Sequence, residues 1–154
     1  MTKRAVITGV GHYLPKRIVL NSEFEKTLNT SDDWIITRSG IRQRHFSNGN
    51  ETTSKMAILA GKQAIEDANI EVSDLDAIIL ATSTADLTFP SAATMVQAGL
   101  GMRHGFAYDV QAVCAGFIYA LSTANAQIVS GQANRILVIG SETFSNLMDW
   151  SDRS

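Results

Sequence analysis

FAYDVQAVCAGFIYALSTANAQIVSG, Phe106 to Gly131, is the stretch whose reading decides the fold. Phe106–Val110 has the aromatic and β-branched content of a short strand. An uncharged turn follows, and then a long helical run with Cys114 in its first turn and Gly131 where a C-terminal cap belongs. No charged residue occurs between Val110 and Asn134, and Phe117, Ile118, Tyr119, Leu121, Ile128 and Val129 point in several directions. A helix that is apolar all round is expected to be buried on every side. Cys114 is the only cysteine in the chain. Near a helix N-terminus, unsatisfied N–H groups and the positive end of the helix dipole favour thiolate over thiol. Two readings of Cys114 stand at this point, an activated nucleophile and an inert core residue that packs as a small hydrophobe. A membrane span is the other alternative for the helix. Ser122, Thr123, Asn125, Gln127 and Ser130 interrupt the run, which falls short of the roughly 20 apolar residues a bilayer requires.

Working outward, uncharged β-rich segments alternate with helical ones. Ala5–Gly11 (AVITGVG), Ala77–Ser83 (AIILATS) and Arg135–Glu142 (RILVIGSE) read as buried strands. Helices are expected over SEFEKTLN from Ser22, over DDWIITRS behind the hydroxyls of Thr30 and Ser31, from Thr52 to about Ala68, and from Ser91 to Leu100. Ile41–Phe46 reads as a short strand, and the final residues from Thr143 as a loop in which Trp150 has no evident partner. Strands without alternation, separated by helices, indicate an α/β protein whose mostly parallel sheet carries helices on both faces.

Composition narrows the function. The 154 residues are 45% hydrophobic and 18% charged, with a net charge of −2 and no basic tract, which argues against nucleic acid or an anionic membrane as the main partner. One cysteine excludes an internal disulfide and fits a reducing compartment. The N-terminus has no long apolar core of a signal peptide, so a cytoplasmic location is expected. Gly9 and Gly11 suggest a dinucleotide fingerprint, but Leu14 stands where the third glycine is needed and no phosphate-loop lysine follows.

Four segments carry a more specific signal: TSDDWIITRSGIRQRH (Thr30–His45), TFPSAATMVQAGLG (Thr88–Gly101), DVQAVCAGFIYAL (Asp109–Leu121) and DRS (Asp152–Ser154). Together they resemble the N-terminal half of the β-ketoacyl-acyl-carrier-protein synthase III family, the initiating condensing enzymes of type II fatty-acid synthesis. The resemblance runs along essentially the whole chain. It implies the N-terminal half of a thiolase-like fold, whose full form is a five-layer αβαβα duplication. Residues 1–154 would then stop before the last strand of that half, with the C-terminal half outside the chain.

The resemblance implies roles residue by residue. Cys114 stands at the position of the nucleophile that takes the acyl group from acyl-CoA as a thioester. Trp34 and Arg153 match the pair that sandwiches the adenine of CoA, Thr30 and Arg38 match neighbours that touch the nucleotide, and Phe89 matches a residue that reaches across a dimer interface to wall the partner's acyl pocket. The family's catalytic histidine and asparagine belong to the half outside this chain, so His12, His45 and His104 are not assigned to them. The implied substrates are acetyl-CoA and malonyl-acyl-carrier protein, the implied partners acyl-CoA, the carrier protein and a second copy of the chain, and no metal or cofactor takes part. Alternatives are a related condensing enzyme, such as a hydroxymethylglutaryl-CoA synthase or a secondary-metabolite starter enzyme, and a non-catalytic dimerisation or CoA-binding module. TSDDWI together with GIRQRH argues for the fatty-acid branch.

Overall fold

A computed structural model describes residues 3–153. The chain divides into two compact units, one formed by the described residues through Tyr13 with Thr52–Glu142, the other by Leu14–Glu51 with Thr143 onward.

The larger unit is built on three parallel strands, β3 (Ala77–Ala81), β4 (Phe106–Val110) and β5 (Ile136–Gly140), in the order β4-β3-β5. Ala81 is level with Val110 on one side and Gly140 on the other. All five residues of β3 are buried, as a central strand covered on both faces must be. Ile78 and Leu80 turn to one face, where Ala107, Leu137 and Ile139 join them against α3 (Thr53–Asp67) and α4 (Ala92–Leu100). Ile79 and Ala81 turn to the other face, with Tyr108, Val110, Ile136 and Val138, against Ala120 and Ala124 of α5 (Gly116–Ser130). Gly101 and Gly131 close α4 and α5 in the left-handed region at φ 78° and 81°. The parallel sheet with helices on both faces agrees with the expectation from sequence.

Two expectations for this unit are corrected. Residues 5–11 form no strand, and Val6, Ile7 and Val10 are exposed at 68%, 75% and 68%. Their backbone turns to side chains instead: Val10 N donates to Asp67 Oδ2 at 2.9 Å, and His12 N to Gln63 Oε1 at 2.6 Å. Gly9 and Gly11 lie against α3 so closely that a Cβ would come within 2.5 Å and 2.2 Å of the Ala64 and Ala60 carbonyl oxygens. Their glycines serve helix packing, not phosphate binding. The second correction concerns α5, of which only Gly116, Ala120 and Ala124 are buried. The sheet covers that small-residue stripe alone, and Phe117, Ile118, Tyr119 and Val129 on the remaining faces meet solvent. By length and composition, Val113–Ser130 is apolar enough to cross a membrane. The packing of Ala120 and Ala124 on Ile79 and Ala81 identifies it as a sheet-covering helix.

The smaller unit contains a two-stranded antiparallel sheet. Its strands β1 (Arg17–Leu20) and β2 (Gln43–Phe46) pair Arg17 with Phe46 through Leu20 with Gln43. The first strand was not expected, and the helix over SEFEKTLN shrinks to one turn, α1 (Asn21–Phe24). The expected helix DDWIITRS is present as α2 (Asp32–Ser39): Ser31 Oγ accepts from Trp34 N at 3.1 Å, and Gly40 caps the other end at φ 72°. Trp150 is a third correction. Its ring lies 4.5 Å from that of Phe46 and 5.4 Å from that of Phe24, and its Nε1 donates to the Ser145 carbonyl at 2.8 Å. An indole this far along the chain finds a core that no local pattern reveals.

Candidate active site

Cys114 follows the carboxyl end of β4, the edge of a parallel α/β sheet at which ligands usually bind. It is exposed and sits in a single 3-10 turn, Val113–Ala115, that leads into α5. Two features fix that turn. Gly116 allows α5 to approach the sheet, since a Cβ there would meet Ala81 Cβ at 3.2 Å. Val113 has φ 46°, a left-handed conformation that β-branched residues rarely adopt. Strain of this kind costs about 1–3 kcal/mol and concentrates at functional sites, where the surrounding fold holds it.

Three carboxylates at the same edge of the sheet organise the segment between β3 and α4, and sequence reasoning passed over all three. Glu142, just after β5, accepts from Ser83 N at 2.8 Å, from the Thr82 hydroxyl at 3.4 Å and from the Thr84 hydroxyl. Asp86 accepts from Ser54 N at 2.8 Å and Ser54 Oγ at 2.6 Å, which caps α3. Burial pushes the Asp86 carboxyl up, but hydrogen bonds from the Ser54 and Thr52 hydroxyls and from backbone N–H groups outweigh it and hold the group below its ordinary value. Asp109 accepts from Ala92 N at 2.9 Å and Ala93 N at 2.7 Å at the start of α4. Phe89 projects from the segment so held, 82% exposed. No local pattern announces these contacts, since the helix starts that Asp86 and Asp109 cap lie 32 and 17 positions away in sequence.

In the smaller unit, Trp34, Arg38 and Arg153 come together. The Arg153 guanidinium lies 4.3 Å from the Trp34 ring centroid and that of Arg38 lies 4.9 Å from it. Arg153 also donates to the Asn29 carbonyl, beside Thr30. Trp34 remains 42% exposed, so a flat indole with two cations beside it is offered to solvent, an arrangement suited to an aromatic base bearing phosphates. Thr30 is half-buried, and its N–H donates to the Leu28 carbonyl at 2.9 Å. A groove of about 410 Å³ between Lys62, Glu66, Glu71 and Asp74 lies at the opposite end of the sheet from Cys114 and shares no residue with these groups.

The family model for 3-oxoacyl-[acyl-carrier-protein (ACP)] synthase III matches residues 108–154, which include Cys114 and Arg153. Along its full length the chain is 70% identical to the β-ketoacyl-acyl-carrier-protein synthase III of Roseobacter denitrificans and 68% identical to that of Ruegeria pomeroyi, spanning 48% of each. The chain matches the N-terminal half of the β-ketoacyl-acyl-carrier-protein synthase III family. It spans about half the length of these curated relatives. The solved structure of the synthase III from Aquifex aeolicus superposes with a TM-score of 0.92 at 46% identity, covering 99% of this chain and 48% of its own. The priming β-ketosynthase of the R1128 polyketide pathway gives the same TM-score at 32% identity, with 100% and 47% covered. The fold is therefore thiolase-like.

Proposed function

We propose that the chain is the N-terminal part of a 3-oxoacyl-acyl-carrier-protein synthase III that initiates type II fatty-acid synthesis. On this reading the Cys114 thiolate attacks the thioester carbonyl of acetyl-CoA. CoA leaves as its thiolate, which takes a proton from water, and the acetyl group is stored on the cysteine. Malonyl-acyl-carrier protein then loses carbon dioxide, and the resulting carbanion attacks the acetyl-cysteine, forming the new carbon–carbon bond and freeing Cys114. The histidine and asparagine that stabilise the carbanion belong, by the family resemblance, to the half beyond this chain, so the 154 residues alone do not condense. No cofactor is used. CoA is held through its adenine between Trp34 and Arg153, with Thr30 and Arg38 beside the nucleotide. The chain works in the cytoplasm as a homodimer in which Phe89 of each subunit walls the other's acyl pocket.

The observation that carries this reading is the placement of the single cysteine: exposed, behind a strained Val113, at the carboxyl end of a parallel strand. Relatives at 64–70% identity over the whole chain bear the name β-ketoacyl-acyl-carrier-protein synthase III, whereas the polyketide priming enzyme is 32% identical, which favours the first branch. The test is intact-protein mass spectrometry of the full-length enzyme after exposure to acetyl-CoA. One acetyl group is expected, on the Cys114 peptide, and none in Cys114→Ser. Acetylation that persists in Cys114→Ser would overturn the assignment.

A further inference from the structure

We infer that Asp109 is a positioning residue that holds the Phe89 segment and the Cys114 turn in one fixed geometry; this rests on the proposed acylation of Cys114. Alternation along β4 sends Tyr108 and Val110 to the face covered by α5, and Ala107 and Asp109 to the face covered by α3 and α4. Asp109 is thus joined through the chain to Cys114, five residues on. Through its carboxylate it is joined to α4 on the other side of the sheet. Both oxygens are engaged, one by Ala92 N and one by Ala93 N, so the contact fixes orientation as well as distance. These N–H groups lie three and four residues after Phe89. The far end of the same segment is tied down independently by Glu142 at Ser83 and Thr84.

A helix cap could do its work with any acceptor, and α4 already has one. Ser91 Oγ accepts from Thr94 N at 3.3 Å. What the second cap adds is a connection between the strand that delivers the cysteine and the segment that presents Phe89. A displacement of about 1 Å in a reacting geometry can cost 100-fold in rate, so a rigid link at this point acts on acylation without touching substrate.

The experiment compares Asp109→Asn with Ser91→Ala in the full-length protein. Each removes cap bonding from the same helix, but only the first loosens the link to β4, since the Asn amide offers one acceptor oxygen where the carboxylate offers two. Acylation of Cys114 by acetyl-, butyryl- and octanoyl-CoA is followed by mass spectrometry, with melting temperature and amide exchange measured in parallel. Asp109→Asn is expected to slow acetylation by about 10-fold to 100-fold and to flatten the preference among chain lengths. It should also speed exchange in residues 110–116 as well as at Ala92 and Ala93. Ser91→Ala is expected to lower the melting temperature with rate and preference kept, and to speed exchange only around residues 91–94. Asp109→Glu, which keeps the carboxylate but lengthens the link, is expected to stay folded while shifting chain-length preference. Parent-like rate and preference in Asp109→Asn, equal losses in Ser91→Ala, or parent-like preference in a folded Asp109→Glu would each overturn the inference. A parent that takes no acetyl group would instead overturn the proposed function, and the exchange pattern would still decide whether Asp109 couples the two segments.

Discussion

Arg153 holds its guanidinium 4.3 Å from the centroid of the Trp34 ring, although 119 positions separate them in sequence. The cation lies over the indole ring, and its bond to the Asn29 carbonyl keeps it there. On the proposed reading, an adenine that enters here parts the two residues and then gains from both, by stacking on the indole and by lying under the cation.

Trp34→Ala is accordingly expected to weaken CoA binding. Loss of one base–aromatic contact is worth about 1–3 kcal/mol, or roughly 5-fold to 150-fold in Kd. Calorimetric titration with CoA checks this, and an unchanged affinity in a folded variant would limit Trp34 to a structural role. Arg153→Ala is expected to weaken binding less while raising the association rate, because the cation that fills the empty slot is gone.

A second expectation concerns acid stability. Asp86 has a folded-state value held below its ordinary one, so its contribution to stability is fully present above the unfolded carboxylate value, about 3.9, and is lost as pH falls through the lower folded value. Melting temperature should fall as the pH drops below about 4. Asp86→Asn should be less stable than the parent at neutral pH and show a shallower fall on acidification. Parallel curves for the two proteins would remove Asp86 from the acid response.

How much of this was legible in the sequence depended on the range of the interaction that fixes each element. Ala77–Ala81 declared itself because a strand buried on both faces must be apolar throughout, Ile136–Gly140 by its uncharged β-branched run, and Phe106–Val110 by its aromatic and β-branched content. Ser31, Gly40, Gly101 and Gly131 marked helix ends because capping is a local hydrogen-bonding problem. Val6, Ile7 and Val10 have the same apolar content as the sheet strands, yet no strand neighbours them among the described residues, since composition specifies a pleated surface but not its partner. Trp150 and β1 were missed because each is fixed by residues about 25 to 130 positions away. At the site, Cys114 was visible as a lone thiol at a helix start. The strain at Val113 and the bonds of Glu142, Asp86 and Asp109 exist only once the strands are side by side.

Val113 gives a third expectation. Glycine in the middle of a regular element costs about 0.5–1 kcal/mol, but at φ 46° it relieves strain instead. Val113→Gly is expected to melt at or above the parent temperature and to acylate more slowly, because the turn that aims Cys114 gains freedom. A melting temperature lower by several degrees would show that the valine is not strained in solution.

The last expectation concerns the free edge of β4. Phe106 N donates to the Asp76 carbonyl and the Val110 carbonyl accepts from Thr82 N, so residues 106 and 110 direct their backbone groups towards β3. In a parallel ladder the residues between alternate, which leaves the N–H and C=O of Ala107 and Asp109 facing outward. Nothing in FAYDV blunts that edge, since it holds no lysine or proline and one charge whose carboxylate is committed to α4. A second copy related by a two-fold axis would pair antiparallel with it, centred on Tyr108, as the proposed homodimer requires. Ala107→Pro removes an outward N–H and no bond within the sheet, and proline is tolerated at such an edge position. The full-length variant is expected to fold, to sediment as a monomer at micromolar concentration where the parent is a dimer, and to lose acylation with the dimer. A dimeric Ala107→Pro protein would place the interface elsewhere, and a monomer that acylates at the parent rate would separate assembly from the site.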